Sequence, residues 1–396
     1  MTEQRESSKG GVSTLRLIAC GSFIEGYPRY DTLWQALSRL GLQQLIDLRE
    51  KITVGSEELD RLRAEQNKGA LRRIPGEIRS AFRLLRNAVS VTRTARRGKT
   101  DIIFVFPANF FLTICLGILK VFHGARVYFD LYTSAYSAAR THTPTRLRIV
   151  RAYILEFLSS LFADRLICLT PEYARYYRKL YKMRADKFSV IPDGVQDIWL
   201  EEPAHTKQGV HHAKRVIYWG NYLAQHGLEM ILDAAEQLKD ENIEFILCGR
   251  GNRETWVREE IKRRNLDKIV LKGFIPTTEG LIRIVDSADV VLGHLRDMHD
   301  TPLSASNKLK QGMARGKPVI TVWTKQKEDL YQTKDNPVPP FVQIKPAAEE
   351  LTRAIRDLAA NPQRAKQIGE IARSTVKRLH GIEAITSALR ERLKTA

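Results

Sequence analysis

One stretch of the sequence combines a lysine, a helix start and a glycine stop in an order that suits phosphate binding. Ser306 and Asn307 are polar, about two helical turns follow them, and the turns stop at Gly316 before the apolar run Val319–Val322. This order predicts a helix, a glycine C-cap and a strand. Lys308 lies in the first turn, where open backbone N–H groups and the helix dipole favour an anion. The alternative is a solvated lysine at the start of a surface helix, so other segments must distinguish the two.

Two further glycine-containing turns, each between a predicted strand and a predicted helix, could face the same anion. One runs from Gly220 to Gly227 and the other from Gly249 to Gly251. Because parallel strands end at one edge of a sheet, these turns and the Lys308 helix start can meet at one ligand. Glycines let the backbone approach a diphosphate, and side chains add donors or charge. The predicted ligand-binding residues of the two turns are Gly220, Asn221, His226, Gly227, Gly249, Arg250 and Gly251.

The whole chain is strongly basic and long enough for two domains. It has 396 residues, with 64 Lys and Arg against 45 Asp and Glu, which gives a net charge of +19 at pH 7. Such an excess implies an anionic partner, namely nucleic acid, a membrane surface or a phosphorylated substrate. The four cysteines are far apart in apolar runs, so neither zinc nor a disulfide framework is expected. Residues 1–13 have no apolar signal core, and buried reduced thiols suit a cytoplasmic protein.

Strand and helix patterns alternate along both halves of the chain, which predicts an α/β protein of two doubly wound, Rossmann-like domains. The first domain is expected over residues 1–198 and the second over residues 214–372. The polar segment 199–213 has no apolar period and is predicted to be the linker. A C-terminal helix is predicted over residues 373–396.

Two segments could contact a membrane. Residues 102–122 are long and apolar enough to suggest a span, but Pro107, Asn109 and Lys120 interrupt them, so a buried strand and a buried helix are the better interpretation. Residues 60–99 hold twelve Lys or Arg against three acidic residues, and their apolar positions keep helical spacing. A basic amphipathic helix is typical of membrane surfaces and also of nucleic-acid binding. The alternative is a surface helix whose arginines are only solvated.

The second half of the chain resembles the nucleotide-sugar domain of GT-B glycosyltransferases, most closely those of family 4. The matching segments are YWGNYLAQHGLEMILDAAEQL, EFILCGRGN, VLKGFIP, SADVVLG and SNKLKQGMARGKPVIT. The resemblance implies two Rossmann-like domains that face each other across a cleft, with the C-terminal helix packing back on the first domain. It also implies a retaining enzyme that takes a nucleoside diphosphate sugar without a metal. Lys308 would bind the diphosphate, Phe274 and Ile275 would lie against the nucleobase, and Asn307 and Gln311 on the Lys308 helix would complete the donor site.

The first half matches the family more loosely, through GYPRYDTLWQAL, VYFDLY and VIPDGVQD. This half is expected to bind the acceptor, a glycan or a lipid-linked sugar. Gly21, Tyr27 and Arg29 are predicted to line the cleft, with Arg29 near the acceptor or the diphosphate. Asp130 ends a predicted strand and would position the acceptor hydroxyl as a catalytic residue, the alternative being an aspartate that caps a turn.

The predicted chemistry is stabilisation of the departing diphosphate by Lys308, by protonated His226 and by helix N-termini. The sequence departs from the family at Asn221 and His226, where many members have arginine and lysine, and at Leu303 and Gln311, where many have glutamate. These departures leave a non-catalytic GT-B-like binding or scaffold protein as the alternative. A nucleic-acid partner is not expected, because no recognition motif accompanies the charge. The basic helices predict attachment to an anionic membrane at its cytoplasmic face.

Overall fold

The computed structural model describes residues 14–24, 26–52, 74–95, 101–142, 145–202, 214–222, 226–296, 306–324, 327, 330–331 and 340–394. The chain forms two compact units, divided between Asp193 and Gly194 and again between Ala384 and Ile385. Residues from Ile385 onwards therefore belong to the N-terminal unit, and Gly194–Ala384 form the C-terminal unit. Each unit is built on a parallel sheet with helices, which confirms the predicted α/β class.

The N-terminal unit contains a six-stranded parallel sheet in the order β2-β1-β3-β4-β5-β6 within the described ranges. Its strands are β1 (Arg16–Ile24), β2 (Gln44–Ile52), β3 (Asp101–Val105), β4 (Arg126–Asp130), β5 (Arg165–Cys168) and β6 (Phe188–Val190). Its helices are α1 (Pro28–Ser38), α2 (Ile74–Thr94), α3 (Phe110–Ile118), α4 (Lys120–His123), α5 (Ala135–His142), α6 (Arg146–Phe162) and α7 (Pro171–Tyr181). Every residue of β3 is buried, as expected for a parallel strand that is covered on both faces.

The apolar segment 102–122 forms a buried strand, as predicted, but the helices that follow it are only partly buried, with Ile118, Val121 and Phe122 exposed. Residues from Asp101 to Val105 form β3, and the helices α3 and α4 follow it. In the part of the chain that is described, no helix combines the length and the hydrophobicity needed to cross a membrane.

The C-terminal unit contains a second six-stranded parallel sheet in the order β12-β11-β10-β7-β8-β9, again within the described residues. The strands are β7 (Lys214–Trp219), β8 (Ile243–Cys248), β9 (Ile269–Gly273), β10 (Val290–Leu292), β11 (Val319–Val322) and β12 (Val342–Ile344). The helices are α8 (Asp197–Leu200), α9 (Leu228–Gln237), α10 (Glu254–Arg263), α11 (Thr278–Asp286), α12 (Asn307–Ala314), α13 (Ala348–Ala360) and α14 (Pro362–His380). The sheet order puts β7 and β10 at its centre.

Two predicted boundaries differ from the structure. Trp199, where the linker was expected to begin, lies in α8 and is buried, with its ring stacked 6.2 Å from that of Trp219. Most of the predicted linker lies outside the described residues. The single helix expected over 373–396 is in fact two, because α14 ends at His380 and a last helix, α15, runs from Ile382 to Lys394.

Candidate active site

Lys308 lies in the first turn of α12, as the sequence predicts. The hydroxyl of Ser306 caps this helix by accepting a hydrogen bond from the backbone N–H of Leu309 at 3.3 Å. The Lys308 side chain reaches the end of β7, where its Nζ atom would lie 3.1 Å from a Cβ atom at position 220. Gly220 has a φ of +135°, a conformation that residues with side chains rarely adopt, so the backbone here favours glycine.

The Lys308 ammonium is held partly out of water. Its Nζ atom lies 5.2 Å from the ring centroid of Tyr218, a buried residue of β7. Burial lowers the pKa of Lys308 to about 8. The group is therefore still mainly charged at neutral pH, and an arriving anion would replace the hydration that it has lost.

His226 is oriented by two polar atoms, one in the turn after β7 and one on β7 itself. Its Nδ1 atom lies 2.5 Å from the backbone oxygen of Asn221 and 3.0 Å from the hydroxyl of Tyr218. Because a carbonyl oxygen can only accept, we assign the proton to Nδ1. Tyr218 thus contacts both predicted cationic groups. In the sequence, Tyr218 is marked only by its position just before the first glycine turn.

A pocket of about 120 Å³ opens beside these groups at the same edge of the sheet. Six of its lining residues were predicted donor-binding residues and three were not. The guanidinium of Arg250 lies 4.8 Å from the ring centroid of Phe274, whose side chain is 51% exposed. An exposed aromatic face beside a guanidinium suits a flat heterocyclic ring. The lining residues are Trp219, Gly220, Asn221, Cys248, Gly249, Arg250, Phe274, Ile275 and Leu281.

Three of the predicted glycines are required by the packing of loops. A Cβ atom at Gly249 would lie 1.9 Å from the backbone oxygen of Gly220. At Gly251 it would lie 2.6 Å from the backbone nitrogen of Tyr222, and at Gly227 it would lie 2.9 Å from Cβ of Leu295. The contacts at Gly249 and Gly251 bring the turns after β7 and β8 together and so shape the pocket between them, and the contact at Gly227 joins the turn after β7 to the segment after β10.

The other two residues predicted on the Lys308 helix lie beside it. Asn307 precedes Lys308, and its buried Oδ1 atom has no hydrogen-bond partner among the described residues. Gln311 follows Lys308 by three residues and Asn307 by four, so it shares a helix face with both of them. It is 9% exposed. Leu303, the other departure from the family pattern, lies outside the described residues.

Arg29 and Asp130, predicted to face the acceptor, are instead paired inside the N-terminal unit. Arg29 donates from Nε to Oδ2 of Asp130 at 2.8 Å and from Nη2 to Oδ1 at 3.0 Å, and both side chains are fully buried. Arg29 also donates from Nη1 to the backbone oxygens of Pro192, at 2.8 Å, and Ile191, at 3.3 Å. Neither side chain is accessible to an acceptor, because both are fully buried and hydrogen-bonded to internal partners. Their role in this structure is to hold the end of β4 to α1 and to the segment after β6.

The other two predicted acceptor residues lie at the carboxyl edge of the N-terminal sheet. Gly21 packs against Asn109, and a Cβ atom at Gly21 would lie 2.7 Å from that amide. The Asn109 side chain accepts a hydrogen bond from the backbone N–H of Ser22 at 2.8 Å, so Gly21 serves this internal contact. Tyr27 is 38% exposed, and its ring packs edge-on against Tyr132.

Comparisons with known proteins agree with this architecture. A family model described as Glycosyl transferases group 1 matches residues 213–361, and one described as Glycosyltransferase Family 4 matches residues 42–197. No curated protein matches the chain significantly by sequence.

Solved structures match over nearly the whole chain at low identity. HepE from Anabaena in complex with UDP is 15% identical, with a TM-score of 0.69 over 96% of this chain and 100% of that one. Sucrose-phosphate synthase from Thermosynechococcus elongatus is 16% identical, with a TM-score of 0.69 over 95% and 98%. A mutant of TarM from S. aureus, in complex with fondaparinux, α-GlcNAc-glycerol and UDP, is 14% identical, with a TM-score of 0.56 over 78% and 58%.

The two kinds of match support each other. At these identities the structural likeness shows the fold alone, namely two α/β units that are each built on a parallel sheet. The two family models each cover most of one unit and add the enzyme class. The chain therefore belongs to the glycosyltransferases of the GT-B fold and the family 4 type.

Proposed function

We propose that the protein transfers a hexose or a related sugar from a UDP-sugar to a glycan or lipid-linked acceptor, with retention of the anomeric configuration. The observation that carries the proposal is that the Lys308 ammonium and the pocket beside Phe274 meet at one edge of the C-terminal sheet. We assign the base as uracil, and the exposed ring of Phe274 beside Arg250 suits a flat heterocycle of this kind. Structures of HepE with UDP and with UDP-glucose support this choice.

In this mechanism the main task of the protein is to stabilise the negative charge that grows on the departing diphosphate. Lys308 supplies a fixed positive charge, the N-terminus of α12 supplies backbone donors, and protonated His226 adds a second charge. We favour attack from the face of the leaving group, as the family resemblance implies, with a phosphate oxygen accepting the proton of the acceptor hydroxyl.

The same arrangement is the basis for proposing that catalysis needs no metal ion. The work of neutralising the diphosphate is assigned to Lys308 and His226, which lie beside it in the proposed complex. Addition of a chelator is expected to leave the rate of transfer unchanged.

Donor selection and stereochemistry test the proposal directly. Purified protein would be incubated with UDP-hexoses and GDP-hexoses in the presence of lipid-linked and soluble glycan acceptors, with release of UDP or GDP measured. We expect release from a UDP-hexose, and NMR of the product should show the anomeric configuration of the donor. An inverted product would exclude attack from the leaving-group face. Binding of UDP without turnover of any donor would instead favour the scaffold alternative.

We also propose that helices of the N-terminal unit attach the enzyme to an anionic membrane at its cytoplasmic face. Helix α3 packs against both α2 and α6, and α2 contacts α4, so these helices form a neighbouring set. Their exposed apolar side chains are Phe82, Leu85, Phe111, Ile118, Val121, Phe122, Leu147, Val150, Ile154 and Leu161. Basic residues of the same helices include Arg83, Arg86, Lys120, Arg146, Arg148 and Arg151. Exposed apolar side chains among cations suit the interface of an anionic bilayer.

Two acidic substitutions on this set of helices should weaken membrane binding strongly. Val121 is 80% exposed and Leu147 is 75% exposed, so Val121→Glu with Leu147→Glu should leave the fold intact. We expect affinity for vesicles with anionic lipid to fall by about tenfold or more, since each change removes apolar contact and adds repulsion. Vesicle sedimentation at low salt measures the effect. Ile371→Glu, on α14, is the matched control and should bind as the wild type does. Failure of the wild type to bind anionic vesicles would overturn the proposal.

A further inference from the structure

His294 lies at the carboxyl end of β10, next to the groups proposed to bind the diphosphate. Its backbone is fixed, because its carbonyl oxygen accepts hydrogen bonds from the N–H of Val322 and from the hydroxyl of Thr321, each at 2.9 Å. The side chain is packed as well, since the residue is only 8% exposed and its ring lies edge-on to that of His226, 5.9 Å away. The orientation of this imidazole is therefore set before any ligand binds.

The buried Nε2 atom of His294 has no hydrogen-bond partner among the described residues. Buried polar atoms in folded proteins are nearly always paired, and exceptions often mark a binding site. Three nearby side chains affect the ring through their charge, namely those of Lys308, Lys327 and His226. A ligand that reaches the site of Lys308 could supply the missing partner.

The order of the strands indicates which part of the donor lies at His294. Phe274, Gly249 and Gly220 follow β9, β8 and β7, and they line the pocket assigned to the base. Lys308 lies against Gly220, so the diphosphate comes next. Strand β10 is the following strand across the sheet. A nucleoside diphosphate sugar that extends from base to sugar in this direction brings its sugar to the end of β10.

We propose that His294 hydrogen-bonds a hydroxyl group of the transferred sugar, and so helps to select the donor. This inference rests on the proposed function, because it requires a nucleotide sugar in the same site. It adds to the site a residue for the sugar, where Lys308 and His226 serve the diphosphate.

The protonation state of His294 suits a hydroxyl better than a phosphate. Burial, with further contributions from Lys308, Lys327 and His226, lowers the pKa of His294 to about 3. The ring is therefore neutral at pH 7, with one nitrogen that donates and one that accepts. A sugar hydroxyl also donates and accepts, whereas a phosphate oxygen is best matched by a charged donor.

The test compares UDP with UDP-sugars on three proteins: the wild type, His294→Leu and His294→Gln. Isothermal titration would measure UDP and a panel of UDP-hexoses that includes UDP-glucose. For His294→Leu we expect UDP affinity within about twofold of the wild type and affinity for the preferred UDP-hexose about tenfold lower, as for one lost hydrogen bond. His294→Gln, whose amide can reach the region of Nε2, should recover a large part of the loss.

Each other outcome has a definite meaning. An equal loss of UDP and UDP-hexose affinity in His294→Leu would assign the residue to the diphosphate or to folding, and would overturn the inference. Unchanged affinity for both ligands would overturn it as well. If the wild type binds UDP but gains nothing from any sugar, the sugar contact is refuted while the nucleotide site stands. If the wild type binds no uridine nucleotide at all, the proposed function fails and the inference fails with it.

Discussion

Replacing Lys308 with alanine is expected to lower kcat/KM for a UDP-sugar by about 100- to 1,000-fold, the loss typical of removing one preorganised group from a developing negative charge. The ammonium is placed for this role by two features, the capped first turn of α12 and the space above Gly220, where Nζ would lie 3.1 Å from a Cβ atom. The side chain is only half-buried, so its removal should leave the C-terminal sheet folded. Steady-state kinetics at saturating acceptor measure the effect.

Two controls separate this role from a general effect of charge. Lys262→Ala, at an exposed position of α10, should change kcat/KM by less than about twofold. The Tm of Lys308→Ala should match that of the wild type, which would exclude misfolding. A loss confined to KM would indicate that Lys308 binds donor and transition state equally. Near-normal turnover of Lys308→Ala would contradict the assignment altogether.

The pH dependence of kcat/KM should also show the contribution of the Lys308 ammonium. This quantity reports the ionisation of the free enzyme, in which burial lowers the pKa of Lys308 to about 8. Lysine is charged well below its pKa, so the contribution of Lys308 should be complete well below this value, half lost at about pH 8 and lost at higher pH. Lys308→Arg keeps a charge at all these pH values, and its lower rate should therefore show no such decline. A wild-type profile that stays flat to pH 10 would show that the ammonium is not what the diphosphate requires.

The residues of the site that could be predicted from sequence are those marked by the order of residue types next to them in the chain. A glycine or a helix start directly after an apolar run marks the carboxyl edge of a parallel sheet. This rule was enough to group Lys308, Gly220, Arg250 and Phe274, which come from separate turns. The same rule applies to His294, because Gly293 directly follows β10 and precedes it, but no pattern in the sequence assigned this histidine to a ligand.

The roles of individual residues were harder to predict, because these roles depend on contacts between segments that are distant in the sequence. Gly249 is a glycine because the backbone oxygen of Gly220 occupies the space of its Cβ atom, and no local pattern contains that contact. Asp130 ends a strand at the predicted edge, as a catalytic residue would. Its partner Arg29 lies 101 positions away in the sequence, and only the packed structure shows that the two are joined.

Replacing Asp130 with alanine should therefore lower the stability of the fold rather than remove a catalytic group. Breaking a buried ion pair by removing one partner costs about 3–5 kcal/mol, and here alanine would leave the buried guanidinium of Arg29 with two N–H groups unpaired. For a unit of this size the thermal unfolding temperature should fall by roughly 10 °C. Calorimetry of the wild type and the variant measures the change. A shift of less than about 2 °C would contradict the structural role.

A double variant, Arg29→Met with Asp130→Leu, distinguishes this structural role from a catalytic one. Because it removes both buried charges, much of the lost stability should return. Recovery should be incomplete, since the backbone oxygens of Ile191 and Pro192 lose the donor that Arg29 provides. At a temperature where both proteins are folded, kcat of the double variant should stay within about threefold of the wild type. A loss of about 100-fold in a folded double variant would instead restore a role for Arg29 or Asp130 at the acceptor.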